Sequence, residues 1–181
     1  MSQDTATNPT ETRYQPRRTW QSQMLPVRNM QYHLHYWEPE QVNPDLPLLV
    51  LAHGWMDVAA SYQFVVDAFS EAFVQGRRIV AHDWRGFGLS RPPVPCDSYY
   101  FTDYLADLDM LLEQLSPEQP VDLVGHSMGG NVSWWYAGAR AERIRRFVNL
   151  EGFGLPESDA NQAPQRLAQW MDQLREQRAG G

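Results

Sequence analysis

The sequence predicts an α/β fold in which helices cover a doubly wound, mostly parallel sheet. Short and mainly apolar runs at 48–52 and 121–125 are typical of central parallel strands. Between them, residues 100–115 place apolar side chains at the 3.6-residue spacing of an amphipathic helix. Strands and helices of these lengths alternate along the chain, an order that predicts parallel strands joined by crossover helices.

The first part of the chain is predicted to be a tail followed by two short strands. Residues 1–19 are rich in Thr, Gln, Pro and Arg and carry almost no aliphatic side chains, so we expect a mobile tail. Strands at 24–27 and 32–37 flank a turn at Arg28-Asn29. In the second strand, Tyr32, Leu34 and Tyr36 alternate with His33 and His35, the pattern of a half-buried strand.

A core over residues 20–160 contains the remaining strands and helices. Further strands are predicted at 48–52, 78–81, 121–125 and 147–150. Helices are predicted at 59–73, 100–115, 128–141 and, beyond the core, 163–178. On the third of these helices we expect Trp134, Trp135 and Tyr136 to pack against the sheet. On the second, the acidic residues are predicted to form a solvated face: Asp103, Asp107 and Asp109.

Composition excludes several classes of function. The 181 residues carry a net charge of −7, which argues against a duplex-binding surface. All 15 basic residues are arginine, so chemistry that needs a lysine is excluded. The single cysteine, Cys96, excludes an internal disulfide, and no cofactor or metal site is predicted. Without a secretory signal or an apolar run of ~18 residues, we expect a cytoplasmic protein that binds neither membrane nor nucleic acid.

The motif that carries chemistry is Gly125-His126-Ser127-Met128-Gly129, which matches G-x-S-x-G. It follows a predicted strand and opens a predicted helix, which places the serine on a tight turn. The flanking glycines let neighbouring backbone approach without a Cβ clash. The free N–H groups at the helix N-terminus can stabilise a developing oxyanion.

Three sequence blocks together resemble the α/β-hydrolase family, in its serine hydrolase branch. They are His53-Gly54-Trp55, Asp83-Trp84-Arg85-Gly86-Phe87-Gly88-Leu89-Ser90 and Gly125-His126-Ser127-Met128-Gly129-Gly130. The resemblance covers roughly residues 20–155. It implies hydrolysis of a carboxylic ester or a related small acyl substrate through an acyl-serine intermediate. It also implies a sheet with strands in the order 1-2-4-3-5-6-7-8, of which this sequence supplies the first six.

The same resemblance assigns the site residues. Ser127 is the expected nucleophile, and the backbone N–H groups of Trp55 and Met128 form the expected oxyanion hole. Glu151, at the end of the strand 147–150, matches the position of the catalytic acid in one subgroup of the family. Asp83 and Arg85 lie in a block that mostly fixes loop geometry in this family. Because Ser127 is not an aspartate, the resemblance argues against dehalogenation and epoxide opening.

A serine nucleophile needs an adjacent base, which in this family is a histidine that follows the acid. The five histidines are residues 33, 35, 53, 82 and 126, and none follows Ser127. His126 is predicted to pack, and His53 to brace the loop after its strand. Three interpretations remain open: an active serine hydrolase, a non-catalytic scaffold that keeps the hydrolase core, and a chain whose histidine comes from a second polypeptide.

The expected architecture is that of a hydrolase truncated after its sixth strand. Residues 161–181 resemble the start of the lid that family members insert at this point. Its apolar face, formed by Leu167, Trp170, Met171 and Leu174, is predicted to pack back on the core or to self-associate. The strand 147–150 becomes an exposed sheet edge through which we expect self-association.

Overall fold

The computed structural model describes residues 14–96, 98–154, 157 and 159–179. A six-stranded sheet runs through the molecule in the order β1-β2-β4-β3-β5-β6. The strands are β1 (Gln21–Val27), β2 (Met30–Trp37), β3 (Leu49–Ala52), β4 (Ile79–His82), β5 (Val121–His126) and β6 (Ile144–Leu150).

The strand order confirms the predicted α/β-hydrolase topology for the six strands. β2 pairs antiparallel with β1 and with β4. All remaining pairs, from β4 through β3 and β5 to β6, are parallel. The carboxyl ends of β3, β5 and β6 therefore meet at one edge of the sheet, where the predicted site residues follow them.

The helices differ from prediction mainly between β3 and β4. They are α1 (Gln63–Ala68), α2 (Glu71–Val74), α3 (Phe101–Leu115), α4 (Met128–Ala139) and α5 (Ala163–Ala179). The single helix predicted at 59–73 is instead a 3₁₀ turn at Ala59–Tyr62 followed by α1 and α2. Phe69 is extended, and Ser70 begins a new helix because its side chain accepts a hydrogen bond from the Phe73 N–H.

The sheet is covered on both faces, as the doubly wound prediction requires. In β3, Val50 and Ala52 lie in the cluster that α3 and α4 cover. Leu49 and Leu51 lie in the cluster on the other face, together with Val66 of α1. This alternation along one strand explains why its sequence is apolar at every position.

The prediction that Asp107 lies on a solvated face of α3 is wrong, because this residue is fully buried. Its carboxylate accepts hydrogen bonds from Arg85 Nε at 2.6 Å and from the Tyr32 hydroxyl at 2.6 Å. Arg28 adds a third donor at 3.1 Å. The guanidinium and hydroxyl donors offset the desolvation of the carboxylate, so an aspartate can occupy a core position of the helix.

Residues 14–19 of the predicted tail lie within the described residues, and part of this segment contacts α1. Residues 1–13 lie outside the described residues. The Tyr14 hydroxyl donates to Asp67 Oδ2 at 2.5 Å, and the Arg18 N–H donates to Asp67 Oδ1 at 2.9 Å. Arg18 Nη1 also donates to the Val66 carbonyl at 2.7 Å. Residues 14–18 are therefore fixed at the C-terminal end of α1, whose free carbonyl groups accept the arginine donors.

Apolar side chains remain exposed at the β6 end of the molecule. Within the described residues, β6 pairs with β5 alone, so its outer edge is unpaired. Val148, Leu150 and Trp134 are exposed. The Trp134 ring nevertheless contacts the sheet as predicted, edge-on against Phe147 of β6 with 6.2 Å between the ring centroids. On α5, the apolar residues Leu167, Trp170 and Met171 are also exposed, so this face does not pack back on the core. No helix in the described part of the chain is long and apolar enough to cross a membrane.

Candidate active site

Ser127 occupies a strained turn between β5 and α4. Its backbone has φ 50° and ψ −114°, a conformation that residues with a side chain rarely adopt. The turn is fixed on both sides. The Ser127 N–H donates to the Leu150 carbonyl at 2.8 Å, and its carbonyl accepts the Asn131 N–H at 3.0 Å. The first of these bonds fixes the serine beside the end of β6.

The glycines of the motif allow α4 to approach the sheet closely. A Cβ on Gly129 would meet the backbone carbonyls of Ala52 and His53, the latter at 2.5 Å. A Cβ on Gly125 would lie 2.6 Å from the Gly129 carbonyl oxygen. A side chain at either position would force the backbone to shift. The close approach of neighbouring backbone that the sequence predicts is therefore present in the structure.

The predicted oxyanion donors belong to two backbone segments that adjoin Ser127. Met128 is the first residue of α4, so the helix supplies no acceptor for its N–H. Trp55 lies in the loop after β3, directly after Gly54. A Cβ on Gly54 would be 3.1 Å from Ser127 Cβ, which places this loop against the nucleophile turn. The two N–H groups therefore belong to segments that meet at Ser127.

Glu151 lies directly after β6, at the predicted position beside the site. Its backbone has φ 59°. The loop is held by Asn149, whose side chain donates to the Gly152 carbonyl at 2.7 Å and accepts the Gly152 N–H at 2.9 Å. The Glu151 carboxylate lies 3.6 Å from His126 Nε2. Ser127, Glu151 and Met56 all have positive φ, and strained residues of this kind cluster at functional sites.

The Asp83–Ser90 block holds together the loops that follow β3 and β4, next to the site. Asp83 accepts the N–H groups of Ala59 at 2.7 Å and Leu89 at 2.8 Å, and it pairs with His33 Nδ1 at 2.8 Å. Burial alone would raise the pKa of Asp83, but these donors outweigh it and hold the pKa below its usual value. Arg85 is bound to Asp107. Both residues therefore have the loop-fixing role that the sequence predicts.

His53 is fully buried and braces the loop that carries Trp55. Its Nδ1 donates to the Gly54 carbonyl at 2.7 Å, and its Nε2 accepts the Trp84 N–H at 3.0 Å. Both ring nitrogens are thus used in the neutral form, and burial lowers the pKa of His53. The imidazole has no lone pair left to accept a proton from Ser127.

The structure brings His126 into the site, although the sequence predicts only a packing role for it. Its side chain is 43% exposed, and its ring lies over Gly54, with Nδ1 at 2.9 Å from the position of a Cβ there. The sequence feature that pointed to a place in the site was the position of His126 directly before Ser127. Adjacency alone does not distinguish a residue that turns toward the nucleophile from one that turns away.

Comparison with known proteins shows which family the chain is similar to. A family model described as alpha/beta hydrolase fold matches residues 47–179. A Mycobacterium tuberculosis protein named "Probable oxidoreductase EphD" is 35% identical over 113 residues, 61% of this chain and 18% of that protein. Epoxide hydrolase A of the same organism is 32% identical over 117 residues, 65% of this chain and 35% of that protein.

A solved structure shows the same architecture. The thioesterase domain from the curacin biosynthetic pathway superposes with a TM-score of 0.68 at 27% identity, covering 86% of this chain and 52% of that domain. The chain therefore spans about half of this solved domain, and its matched segments span 18% and 35% of the two curated relatives.

Proposed function

The chain belongs to the alpha/beta hydrolase fold family, and from this premise we propose that it hydrolyses carboxylic esters or related acyl compounds with Ser127 as nucleophile. The observation that carries the proposal is the serine on a strained strand-to-helix turn at the start of α4, with the loop after β3 packed against it. We infer that the Trp55 and Met128 N–H groups donate to the oxyanion that forms when Ser127 attacks a carbonyl.

The chemistry of serine favours acyl substrates over epoxides. When a serine oxygen attacks an acyl carbon it forms an ester, which water can cleave to regenerate the enzyme. When the same oxygen attacks an epoxide carbon it forms an ether, which water does not cleave. The name of the related epoxide hydrolase is therefore no guide to the substrate of this chain. The match to EphD covers only 18% of that protein, so the activity in its name gives no support here either.

The surface around Ser127 suits a substrate with an apolar part. Trp55 and Met56 flank the site on the β3 side, and Phe153 follows Glu151 on the β6 side; all three side chains are exposed. Apolar surface of this kind is stabilised when an apolar ligand covers it. We expect acyl chains of several carbons to be better substrates than acetyl groups.

The proposed reaction has two steps. Ser127 Oγ attacks the acyl carbon while its proton passes to a base, and the oxyanion accepts hydrogen bonds from the Trp55 and Met128 N–H groups. The alcohol leaves with a proton, and an acyl-serine remains. Water then attacks the acyl carbon, the carboxylic acid departs, and Ser127 recovers its proton.

Hydrolysis of p-nitrophenyl butyrate by the purified protein tests the proposal. We expect release of p-nitrophenol that falls by at least ~10²-fold in Ser127→Ala, since the nucleophile is removed. Ser98→Ala, in the loop before α3, is the matched control and should keep the wild-type rate. Ester hydrolysis that survives in Ser127→Ala, or conversion of styrene oxide to its diol, would overturn the proposal.

A non-catalytic scaffold is the second candidate function. It applies to these 181 residues taken by themselves, among which no histidine follows Ser127. A folded protein without ester hydrolysis would support this alternative. Activity that appears only after a second polypeptide is added would instead indicate that the histidine comes from a partner.

A further inference from the structure

A second serine of the chain is hydrogen-bonded to a histidine, which in turn is bonded to an aspartate. Ser22 is an exposed residue of β1, a strand that β2, β4 and β3 separate from β5 and Ser127. Its Oγ lies 2.7 Å from His33 Nε2, and His33 Nδ1 lies 2.8 Å from Asp83 Oδ2. Both distances are those of ordinary hydrogen bonds, so hydroxyl, imidazole and carboxylate are directly connected.

Strand register places Ser22 beside His33. β1 and β2 pair antiparallel, with Ser22 opposite His35 and Met24 opposite His33. Residues two apart in a strand share a face, so the Ser22 and His33 side chains lie diagonally across the two strands on one face. Asp83 directly follows β4, and its N–H donates to the His33 carbonyl at 2.9 Å. Strand pairing and this bond therefore fix the three residues relative to one another.

The surroundings of Asp83 determine which nitrogen of His33 carries hydrogen. Burial alone would raise the pKa of Asp83, but the N–H groups of Leu89 and Ala59, which donate at 2.8 Å and 2.7 Å, hold it below its usual value. An ionised carboxylate only accepts hydrogen bonds, so in the neutral imidazole the hydrogen lies on Nδ1. Nε2 then keeps its lone pair, which accepts the hydrogen of the Ser22 hydroxyl.

Exposed apolar side chains adjoin Ser22. Met24 lies two residues along β1 on the same face and is exposed. Trp20, also exposed, directly precedes β1, and its ring stacks on that of His35 with 3.8 Å between the ring centroids. Because His35 is the residue opposite Ser22, the indole lies close to the serine. An aromatic or short aliphatic part of a ligand is stabilised when it covers this surface.

We propose that Ser22 is a second nucleophile of this chain, that His33 is its base, and that small activated esters acylate it. Ser22 Oγ attacks the acyl carbon and forms an ester bond, while its proton passes to His33 Nε2. The bond from the acyl carbon to the leaving oxygen breaks, the aryloxide or alkoxide departs, and His33 releases the proton to water or to the leaving group. Asp83 is a positioning residue, which holds the imidazole in the required tautomer.

The acyl group is expected to stay on Ser22. The residues after Ser22 continue β1, whereas Ser127 is followed by α4, whose first N–H groups are available to an oxyanion. Without such donors next in the chain, water attacks the Ser22 ester more slowly, so the site takes a single acyl group instead of turning over. This modification is separate from the function proposed for Ser127 and does not depend on it.

The test is mass spectrometry of peptides after brief treatment of the Ser127→Ala variant with p-nitrophenyl acetate. We expect Ser22 to be acetylated at least ~10²-fold faster than in the same protein unfolded by urea, because the base lies beside the serine only in the folded chain. Ser70 is the internal control. It is exposed, and its hydroxyl accepts the Phe73 N–H, so it should react no faster than in the unfolded protein.

His33→Gln, in the same Ser127→Ala background, separates proton transfer from packing. We expect acetylation of Ser22 to fall to the rate of the unfolded protein while circular dichroism shows an intact fold. His82→Gln is the matched control, since His82 is a buried histidine of β4 that lies opposite Leu34, on the other face of the sheet from His33. This variant should keep the fast rate.

Two results would overturn the inference. One is a Ser22 in the folded protein that reacts no faster than Ser70 or than the unfolded chain, a comparison that stands even if His33→Gln does not fold. The other is fast acetylation of Ser22 in a folded His33→Gln variant. Either result leaves the function proposed for Ser127 standing, because every measurement is made without that serine.

Discussion

The strained backbone of Ser127 lowers the stability of the folded protein, and this effect can be measured apart from the proposed chemistry of the serine. A non-glycine residue at φ 50° and ψ −114° costs of order 1 kcal/mol or more. We expect Ser127→Gly to raise the free energy of unfolding by about 1 kcal/mol relative to Ser127→Ala, although both variants lack the proposed nucleophile. Urea denaturation of the two proteins measures this difference. Equal stabilities would show that the turn is unstrained.

A second prediction concerns the loss of folding stability at low pH that His82 causes. His82 is fully buried, and neither ring nitrogen has a hydrogen-bond partner in the described structure. Burial lowers the pKa of His82 from 6.5 to about 3. The unfolded chain therefore binds a proton at a higher pH than the folded chain does, so the contribution of this group to stability is lost as the pH falls from 6.5 toward 3.

The variant His82→Leu removes this contribution. Each pH unit below 6.5 costs the wild-type protein ~1.4 kcal/mol through this single group. Between pH 6.5 and 5, the stability of the variant should therefore gain about 2 kcal/mol relative to the wild-type protein. Urea denaturation across this range measures the difference, and parallel pH profiles would contradict the account.

At the scale of the element, α4 depends on the absence of a side chain at Gly129. A Cβ there would meet backbone carbonyls of β3 and the residue after it, which cannot move aside as a flexible side chain can. Gly129→Ala should lower the free energy of unfolding by roughly 1–3 kcal/mol and slow ester hydrolysis, because α4 and its N–H groups shift away from the site.

The same helix offers a matched control. A methyl group at Gly138 would have no neighbouring atom within 4 Å among the described residues, so Gly138→Ala adds only helix propensity. We expect it to stabilise the protein by about 0.5–1 kcal/mol without a change in activity. Thermal denaturation and hydrolysis rates of both variants check the pair. Equal effects at the two positions would mean that close packing of α4 does not determine the site.

Local sequence patterns predicted most elements, because periodicity and glycine positions reflect burial directly. The stripe in 100–115 predicted α3, and the apolar run at 48–52 predicted β3. The patterns failed where a contact between distant segments decides the outcome. Asp107 has the polarity of a surface residue, and its burial is explained by donors from distant segments, namely Arg85 in the loop after β4, Tyr32 and Arg28. The position of His126 likewise depends on residues outside its own segment: Gly54, whose lack of a side chain leaves room for the ring, and Glu151, whose carboxylate lies beside it.

At the scale of the whole molecule, the outer edge of β6 is unpaired within the described residues and carries the exposed apolar side chains of Val148 and Leu150. Unpaired backbone groups beside exposed apolar side chains favour pairing with another copy of the strand. We expect the protein to form oligomers at micromolar concentrations. Val148→Lys should shift it toward the monomer, because a charged side chain on an edge strand opposes such pairing.

The control for this prediction is Val42→Lys. Val42 is 47% exposed and Val148 is 49% exposed, so the two substitutions change surface charge and hydrophobicity alike. Only Val148 lies in β6. Static light scattering of the three proteins measures the effect. A wild-type protein that is a monomer at every concentration would refute self-association through this edge.

The central claim is that Ser127 is an activated nucleophile, and intact-mass measurement after fluorophosphonate treatment tests it most directly. We expect the folded wild-type protein to carry one phosphonyl group more than Ser127→Ala. An unmodified wild-type protein whose circular dichroism shows an intact α/β fold would contradict the claim, as would equal modification of both proteins.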